Sequence, residues 1–257
     1  TVLFQILSNL ANDLGDSQKG TDNDQRVGPT RAIQSGKISQ SSMKNAVALV
    51  TLLSLVSAFW LLYISADLIS DSLIWIYLGL TVLCIVAAIS YTVGKSAYGY
   101  SGLGDIMVFL FFGCLSVIGV FTLYGIHFEI LTLMPAFTIG FWSAAVLNLN
   151  NMRDIVNDAD SSKRTLAVQL GAIRAKYYHF SLILVGLCIW TTLNAVYIYL
   201  NDNWVFLIGI FPTLFLFPHL KKVIKIDDPV MYDPELKKVA LITFSSSILF
   251  ATSLFLV

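Results

Sequence analysis

Residues 43–65 read MKNAVALVTLLSLVSAFWLLYIS, with Lys44 as the one charged side chain. A helix that crosses the hydrocarbon layer needs about 20 mostly apolar residues, because lipid cannot satisfy a free backbone. This stretch meets that requirement. Six further runs do so too, near 73–92, 105–126, 131–149, 178–200, 204–220 and 239–257. The expected fold class is all-α, a polytopic transmembrane helix bundle forming one membrane-embedded domain over 1–257. Residues 1–10 are apolar but too short to span. They lack an initiator Met and lead straight into polar sequence, as the end of a helix with a missing beginning would, so the domain is read as N-terminally incomplete. A signal peptide would need a basic n-region and a small-residue cleavage site, and neither is present.

Composition agrees with a chain solvated by membrane lipid. Of 257 residues, 56% are hydrophobic and 12% charged, against about 25% charged in soluble domains. Sixteen basic residues balance sixteen acidic ones, so there is no strong field to steer nucleic acid, and no nucleic-acid partner is expected. Cys84, Cys114 and Cys188 lie inside apolar runs without paired spacing, which argues against a disulfide framework, a zinc site or a redox CxxC.

Charge along the connections sets the orientation. Lys19, Arg26, Arg31, Lys37 and Lys44 precede or open the first span, whereas the next connection holds Asp67 and Asp71. Lys95 follows, then Arg153, Lys163, Arg164, Arg174 and Lys176, then Lys221, Lys222, Lys225, Lys237 and Lys238, always in alternate connections. All sixteen therefore fall on one side, which the positive-inside rule makes cytoplasmic. Trp75, Tyr91, Tyr124 and Trp204 near run ends fit an interfacial aromatic belt.

The two longest cytoplasmic connections carry the polar chemistry. In the first, Asn9, Asn12, Asp13 and Asp16 stand at i, i+3, i+4 and i+7, one polar stripe if the helix continues through them. In the second, Asn151, Asp154 and Asp158 stand at i, i+3 and i+7, with Asn150 one turn before Asp154. Carboxylates gathered at a membrane boundary repel one another unless compensated. Mg²⁺ takes one or two carboxylates and shares its other positions with phosphate oxygens. Two such stripes could hold a pyrophosphate through magnesium, with Arg26, Arg31, Lys37, Lys163 and Arg164 neutralising the remaining oxygens. The plain alternative is solvated loop acids and helix caps.

The paired motifs NxxNDxxD (Asn9 to Asp16) and DxxxD (Asp154 to Asp158) resemble those of the UbiA-type intramembrane aromatic prenyltransferases. The resemblance extends through SNLANDLGD and KGTD, RVGPTRAIQSGKIS, AISYTVGKSAYGYSGLGD and AVLNLNNMRDIVNDADSSKRTLAVQLG, from the first residues to about 171. It implies a nine-helix bundle around a cavity, here seven full spans plus the end of one, with both motifs at a cytoplasmic mouth in the bacterial inner membrane. Asp13, Asp16, Asp154 and Asp158 are implied as catalytic metal ligands, supported by Asn9, Asn12, Asn150 and Asn151. Where many relatives carry a third acid this chain has Gly20, and Asp22 and Asp24 are the nearest carboxylates. The implied reaction is Mg²⁺-dependent transfer of a prenyl group from polyprenyl diphosphate to an aromatic acceptor. The blocks around 91–105 and 148–171 point to 1,4-dihydroxy-2-naphthoate, with loss of CO₂.

Tyr91, Tyr98 and Tyr100 are candidates to face the allylic cation, though the interfacial belt explains each equally well. Asp105 could orient the acceptor or cap the next helix, and Lys95 could reach phosphate or serve as a positive-inside anchor. The glycine-rich GYSGLGD follows a membrane helix and lacks dinucleotide spacing. His127, His179 and His219 share no ligand spacing and read as interfacial or packed. A 4-hydroxybenzoate or phytyl-type relative, a membrane transporter and a phosphatidyltransferase remain as rival readings. The transporter is disfavoured because the acids gather at one membrane face, the phosphatidyltransferase because about 140 residues separate them.

Overall fold

A computed structural model describes residues 1–23, 26–126 and 129–257; Asp24 and His127, considered above, lie outside them. All regular structure among the described residues is helical. A first helix, α1, covers Val2–Lys19. Seven segments long and apolar enough to cross a membrane follow: α2 Gln40–Ser65, α3 Asp71–Ser90, α4 Gly104–Leu123, α5 Ile130–Arg153, α6 Ala172–Asn201, α7 Trp204–Ile224 and α8 Pro229–Phe255. The chain is thus a multi-pass membrane protein, as the apolar runs require.

Local chemistry explains the ends. Ser39 accepts from Ser42 N–H at 3.1 Å to start α2, and Asp228 accepts from Val230 N–H at 3.1 Å ahead of α8, where Pro229 fills a position that needs no donor. At the end of α1, Gly20 adopts φ +72°. A residue with a Cβ is strained in that conformation, so the end of α1 favours a glycine here.

The helices form two groups. Leu7, Leu14, Met43 and Val47 join α1 to α2, with Ile85, Ala88 and Ile89 of α3 packed against them. The larger group buries Trp142, Leu149, Ile183, Trp190, Leu216, Val223 and Val239 among α5 to α8. Small residues let backbones approach where apolar burial gives no drive within lipid. A Cβ on Gly113 of α4 would lie 2.5 Å from the Gly140 Cα of α5. Between Phe109 and Leu115 the winding of α4 widens to a π-helix. A cavity of about 1100 Å³ lies between the two groups, with α4 along one wall. Its lining includes both Gly104 and Leu123; at about 1.5 Å per residue this makes it roughly 28 Å deep, close to the hydrocarbon thickness.

Candidate active site

One end of the cavity is polar. Asn9, Asn12 and Asp16 reach it from α1, and Asn150, Asn151, Asp154 and Asp158 reach it from the end of α5 and the short helix Ile155–Asp160 beyond. The α1 helix runs unbroken through its polar stripe, whereas α5 stops at Arg153 and Asp154 sits at φ −96° and ψ 12°. That break separates Asp158 from the α5 axis, and both acids still line the cavity.

Lys163 joins the motifs. Its Nζ lies 3.1 Å from Asp16 Oδ2 and 4.0 Å from Asp158 Oδ1, and all three side chains are nearly excluded from solvent. The Tyr100 hydroxyl donates to Asp16 Oδ1 at 2.8 Å and meets Thr21 Oγ1 at 2.5 Å, while Lys19 Nζ stands 3.8 Å from the Tyr100 ring centre. Asn157 Nδ2 donates to the Thr21 carbonyl at 2.9 Å, a second tie between the acidic segments. Burial, aided by the Asp154 and Asp16 charges and opposed by Lys163, pushes the Asp158 carboxyl up to about 7. Burial, then the Asp16 charge, raises the Tyr100 hydroxyl and so keeps it a donor.

A second basic group adjoins the first. Arg26 Nε lies 3.3 Å from Asp22 Oδ1, Arg26 Nη2 lies 3.9 Å from Asp154 Oδ2, and Arg31 Nε lies 3.9 Å from Asp22 Oδ1. Both arginines line the cavity, and Asp22 does not. Burial, then the neighbouring Asp16, pushes the Asp22 carboxyl up to about 6 against the pull of the arginines. Among the described residues no three His, Cys, Asp or Glu side chains converge as a chelating group. The acids instead face one another in pairs across basic side chains, beneath a cavity that is otherwise mostly apolar.

The family model for UbiA prenyltransferases matches residues 1–231 of this chain. The chain belongs to the UbiA prenyltransferase family. Among curated UbiA relatives, a Haemophilus influenzae protein named 1,4-dihydroxy-2-naphthoate octaprenyltransferase is 46% identical over 186 residues, covering 72% of this chain and 60% of the relative. An Escherichia coli protein of the same name is 38% identical over 254 residues, 99% of this chain and 81% of the relative. A Mycobacterium tuberculosis protein, also so named, is 36% identical over 193 residues, 72% of this chain and 60% of the relative. No solved structure matches the chain significantly.

Of the UbiA-type positions expected from sequence, Asn9, Asn12, Asp16, Arg26, Arg31, Asn150, Asn151, Asp154, Asp158 and Lys163 meet at this cavity, and Tyr91 and Tyr98 line it as well. The others fall elsewhere: Asp13, Lys37, Lys95, Tyr100, Asp105 and Arg164 are all outside the lining. Asp13 is buried off the cavity, where its Oδ2 accepts from Ala32 N–H at 3.1 Å and anchors the following loop; at i+4 from Asn9 it has rotated past the face that Asn12 and Asp16 share. Lys95 and Arg164 are exposed and outside the lining.

Tyr91, grouped above with the aromatic belt, instead faces the cavity with its ring 5.3 Å from that of Tyr98. Tyr100 acts on Asp16 and not on the cavity. Asp105 makes no cap: Leu103 holds the cap position of α4, and both carboxylate oxygens of Asp105 are buried without a hydrogen-bond partner among the described residues. Sequence reasoning missed Thr21, Asn157 and Arg153. Thr21 and Asn157 carry no charge to flag them, and Arg153 reads as one more inside-positive residue.

Proposed function

We propose that this chain transfers a polyprenyl group from polyprenyl diphosphate to 1,4-dihydroxy-2-naphthoate, releasing pyrophosphate and CO₂ and giving demethylmenaquinol, with Mg²⁺ as cofactor. The observation that carries it is Lys163 between Asp16 and Asp158. One ammonium lies between two carboxylates from separate motifs, at the mouth of a deep apolar cavity. The names of the bacterial relatives supply the acceptor.

A divalent cation suits the donor set. Mg²⁺ takes one or two carboxylates and fills its other positions with water and phosphate, so paired acids serve it where a three-ligand cluster is lacking. Asn12 Oδ1 and Asp13 Oδ1 are buried oxygens without a hydrogen-bond partner among the described residues. Carboxylates drawn in pairs from Asp16, Asp154 and Asp158 would hold the ion, with Asn12 beside them and Asp13 setting the loop. When bound, the ion supplies Lewis-acid charge that draws electrons toward the leaving pyrophosphate.

The chain's own groups do the rest. Arg26, Arg31 and Lys163 neutralise phosphate oxygens, and the Asn150 and Asn151 amides can donate to them. As the allylic C–O bond breaks, its electron pair leaves with pyrophosphate. The rings of Tyr91 and Tyr98 present electron-rich faces to the cation that remains. The apolar depth holds the polyprenyl tail and excludes water that would capture the cation. The carboxyl-bearing carbon of the naphthoate then forms the new C–C bond, and the β-keto acid arrangement loses CO₂, returning the electron pair to the ring.

The deciding experiment supplies purified protein with polyprenyl diphosphate, Mg²⁺ and either 1,4-dihydroxy-2-naphthoate or 4-hydroxybenzoate, and weighs the products. The expected product is the decarboxylated prenylated naphthalenediol. Turnover of the benzoate alone, or a naphthoate product that keeps its carboxylate, would reject the acceptor.

Orientation is tested separately; the charge alternation supports acids that face the cytoplasm from a bacterial inner membrane. With Cys84, Cys114 and Cys188 replaced, single cysteines at Asp71 and Asp202 should react with an impermeant thiol reagent added from the periplasm. Cysteines at Lys37 and Lys95 should stay protected until the membrane is opened; the reverse pattern would invert the topology.

A further inference from the structure

Asp154 follows the end of α5 directly, so the helix itself does not aim its carboxylate. Arg153 holds it. Arg153 Nε lies 3.1 Å from Asp154 Oδ1, and its Nη2 lies 2.6 Å from Asp154 Oδ2, a fork along one edge of the guanidinium. Nη2 also donates to Asn150 Oδ1 at 2.6 Å. The remaining nitrogen, Nη1, pairs with Asp233 in the first turns of α8. The loop after α1 closes over this group, because a Cβ on Gly28 would come 2.5 Å from Arg153 Nη2. Asp154 and Asn150 line the cavity, whereas Arg153 and Asp233 do not.

We propose that Arg153 and Asp233 are positioning residues that together present Asp154 and Asn150 to the diphosphate end of the cavity. The inference rests on the prenyltransferase reading above. A buried guanidinium with one edge unpaired would be free to turn, and Arg26, whose Nη2 is 3.9 Å from Asp154 Oδ2, would compete for the same carboxylate. Asp233 removes that freedom. It binds the outer nitrogen, so the fork faces Asp154 and the carboxylate keeps one side open to the cavity. Partners that orient a metal-holding carboxylate commonly change affinity by 10–100-fold when removed.

The test measures binding of inorganic pyrophosphate in the presence of Mg²⁺ to the full chain by calorimetry. Asp233 is 30% exposed at its side chain, so Asp233→Asn is accommodated without a large packing change and should weaken binding about tenfold. Asp233→Glu should restore it, and Arg153→Lys, which keeps the charge but loses the fork, should weaken it as Asp233→Asn does. In an Asp154→Asn background the Asp233→Asn change should add less than about twofold, because its effect passes through Asp154. Lys238→Gln, which loosens a different contact in the same helix, should lower thermal stability and leave affinity unchanged.

Wild-type affinity in both Asp233→Asn and Arg153→Lys would overturn the proposal. So would full additivity with Asp154→Asn, or an equal loss in Lys238→Gln. A wild-type protein that does not bind magnesium pyrophosphate at all would instead reject the prenyltransferase reading, and the relay with it.

Discussion

Asp16→Ala and Asp158→Ala are each expected to lower kcat/KM for prenyl transfer by on the order of 10²–10³-fold, the scale seen when one preorganised charge-stabilising group is removed from a buried site. Both carboxylates are nearly inaccessible to solvent, and both face the single ammonium of Lys163. Without Asp16 the ammonium loses its shorter partner and the Tyr100 hydroxyl its acceptor. Without Asp158 the short helix after α5 loses its only side chain directed at Lys163 among the described residues. Neither change opens the apolar packing between helices, so the variants should insert and purify as the wild type does. Asp67→Ala and Asp71→Ala are the controls: both acids are exposed at the α2–α3 turn, at the opposite end of the bundle. Near-normal turnover of either site variant at saturating Mg²⁺ would remove that carboxylate from the mechanism.

Glu235→Ala is expected to cost stability rather than chemistry. Glu235 has no solvent exposure. Its Oε2 lies 2.7 Å from His219 Nδ1, and His219 Nε2 lies 2.8 Å from His179 Nε2, a line of polar groups through α8, α7 and α6. Lys222 and Lys238 also reach Oε1, at 3.0 and 2.8 Å. Removing the carboxylate leaves two imidazoles buried with a broken chain and two ammonium groups without their anion. Losing one partner of a buried ionic group typically costs about 3–5 kcal/mol, which corresponds to a melting temperature lower by on the order of 10 °C. Glu235→Gln keeps the hydrogen bond to His219 and should lose less. If Glu235→Ala melts within about 2 °C of wild type, a shift worth roughly 1 kcal/mol or less in a chain of this size, the network does not lock the three helices.

The seven spans were legible because hydropathy alone selects them, and their centres agree with the helices. The ends were not. The run read as 239–257 is a helix from Pro229 to Phe255, and the run read as 178–200 begins at Ala172. In both, charged residues such as Asp233, Glu235, Arg174 and Lys176 end the apolar pattern while the backbone continues to wind. These added turns hold several of the groups that tie the bundle together. The first acid motif was legible because helical spacing puts Asn9, Asn12 and Asp16 on one face, whereas the second reaches the cavity through a break at Asp154 that spacing does not show; Asp13 shows how coarse the helical rule is. A 40° turn from Asn9 is enough to give it a backbone amide in place of the cavity. The Arg153–Asp233 pair and the His179–His219–Glu235 line were illegible in sequence, since each joins residues that no local pattern relates. Tyr91 was visible as an aromatic at a span end, but its facing depends on the loop that follows it.

The π-helical stretch at Phe109–Leu115 acts as a phase correction in α4. Gly104, Val108, Phe112, Ser116 and Val120, each four residues from the next, all face the cavity. An uninterrupted α-helix would drift by about 40° with each such step, and the seam would wind off the cavity wall before reaching its floor. The wider turns absorb that drift and keep one straight strip of the helix against a long, straight guest. Ordinary α winding through the same residues would carry each four-residue step forward by about 40° and turn the deeper half of α4 away from the cavity. Gly119 would then leave Tyr77, whose hydroxyl now donates to its carbonyl at 2.7 Å. The wall of the cavity therefore depends on how α4 winds, in a way that its composition, almost wholly apolar, does not reveal.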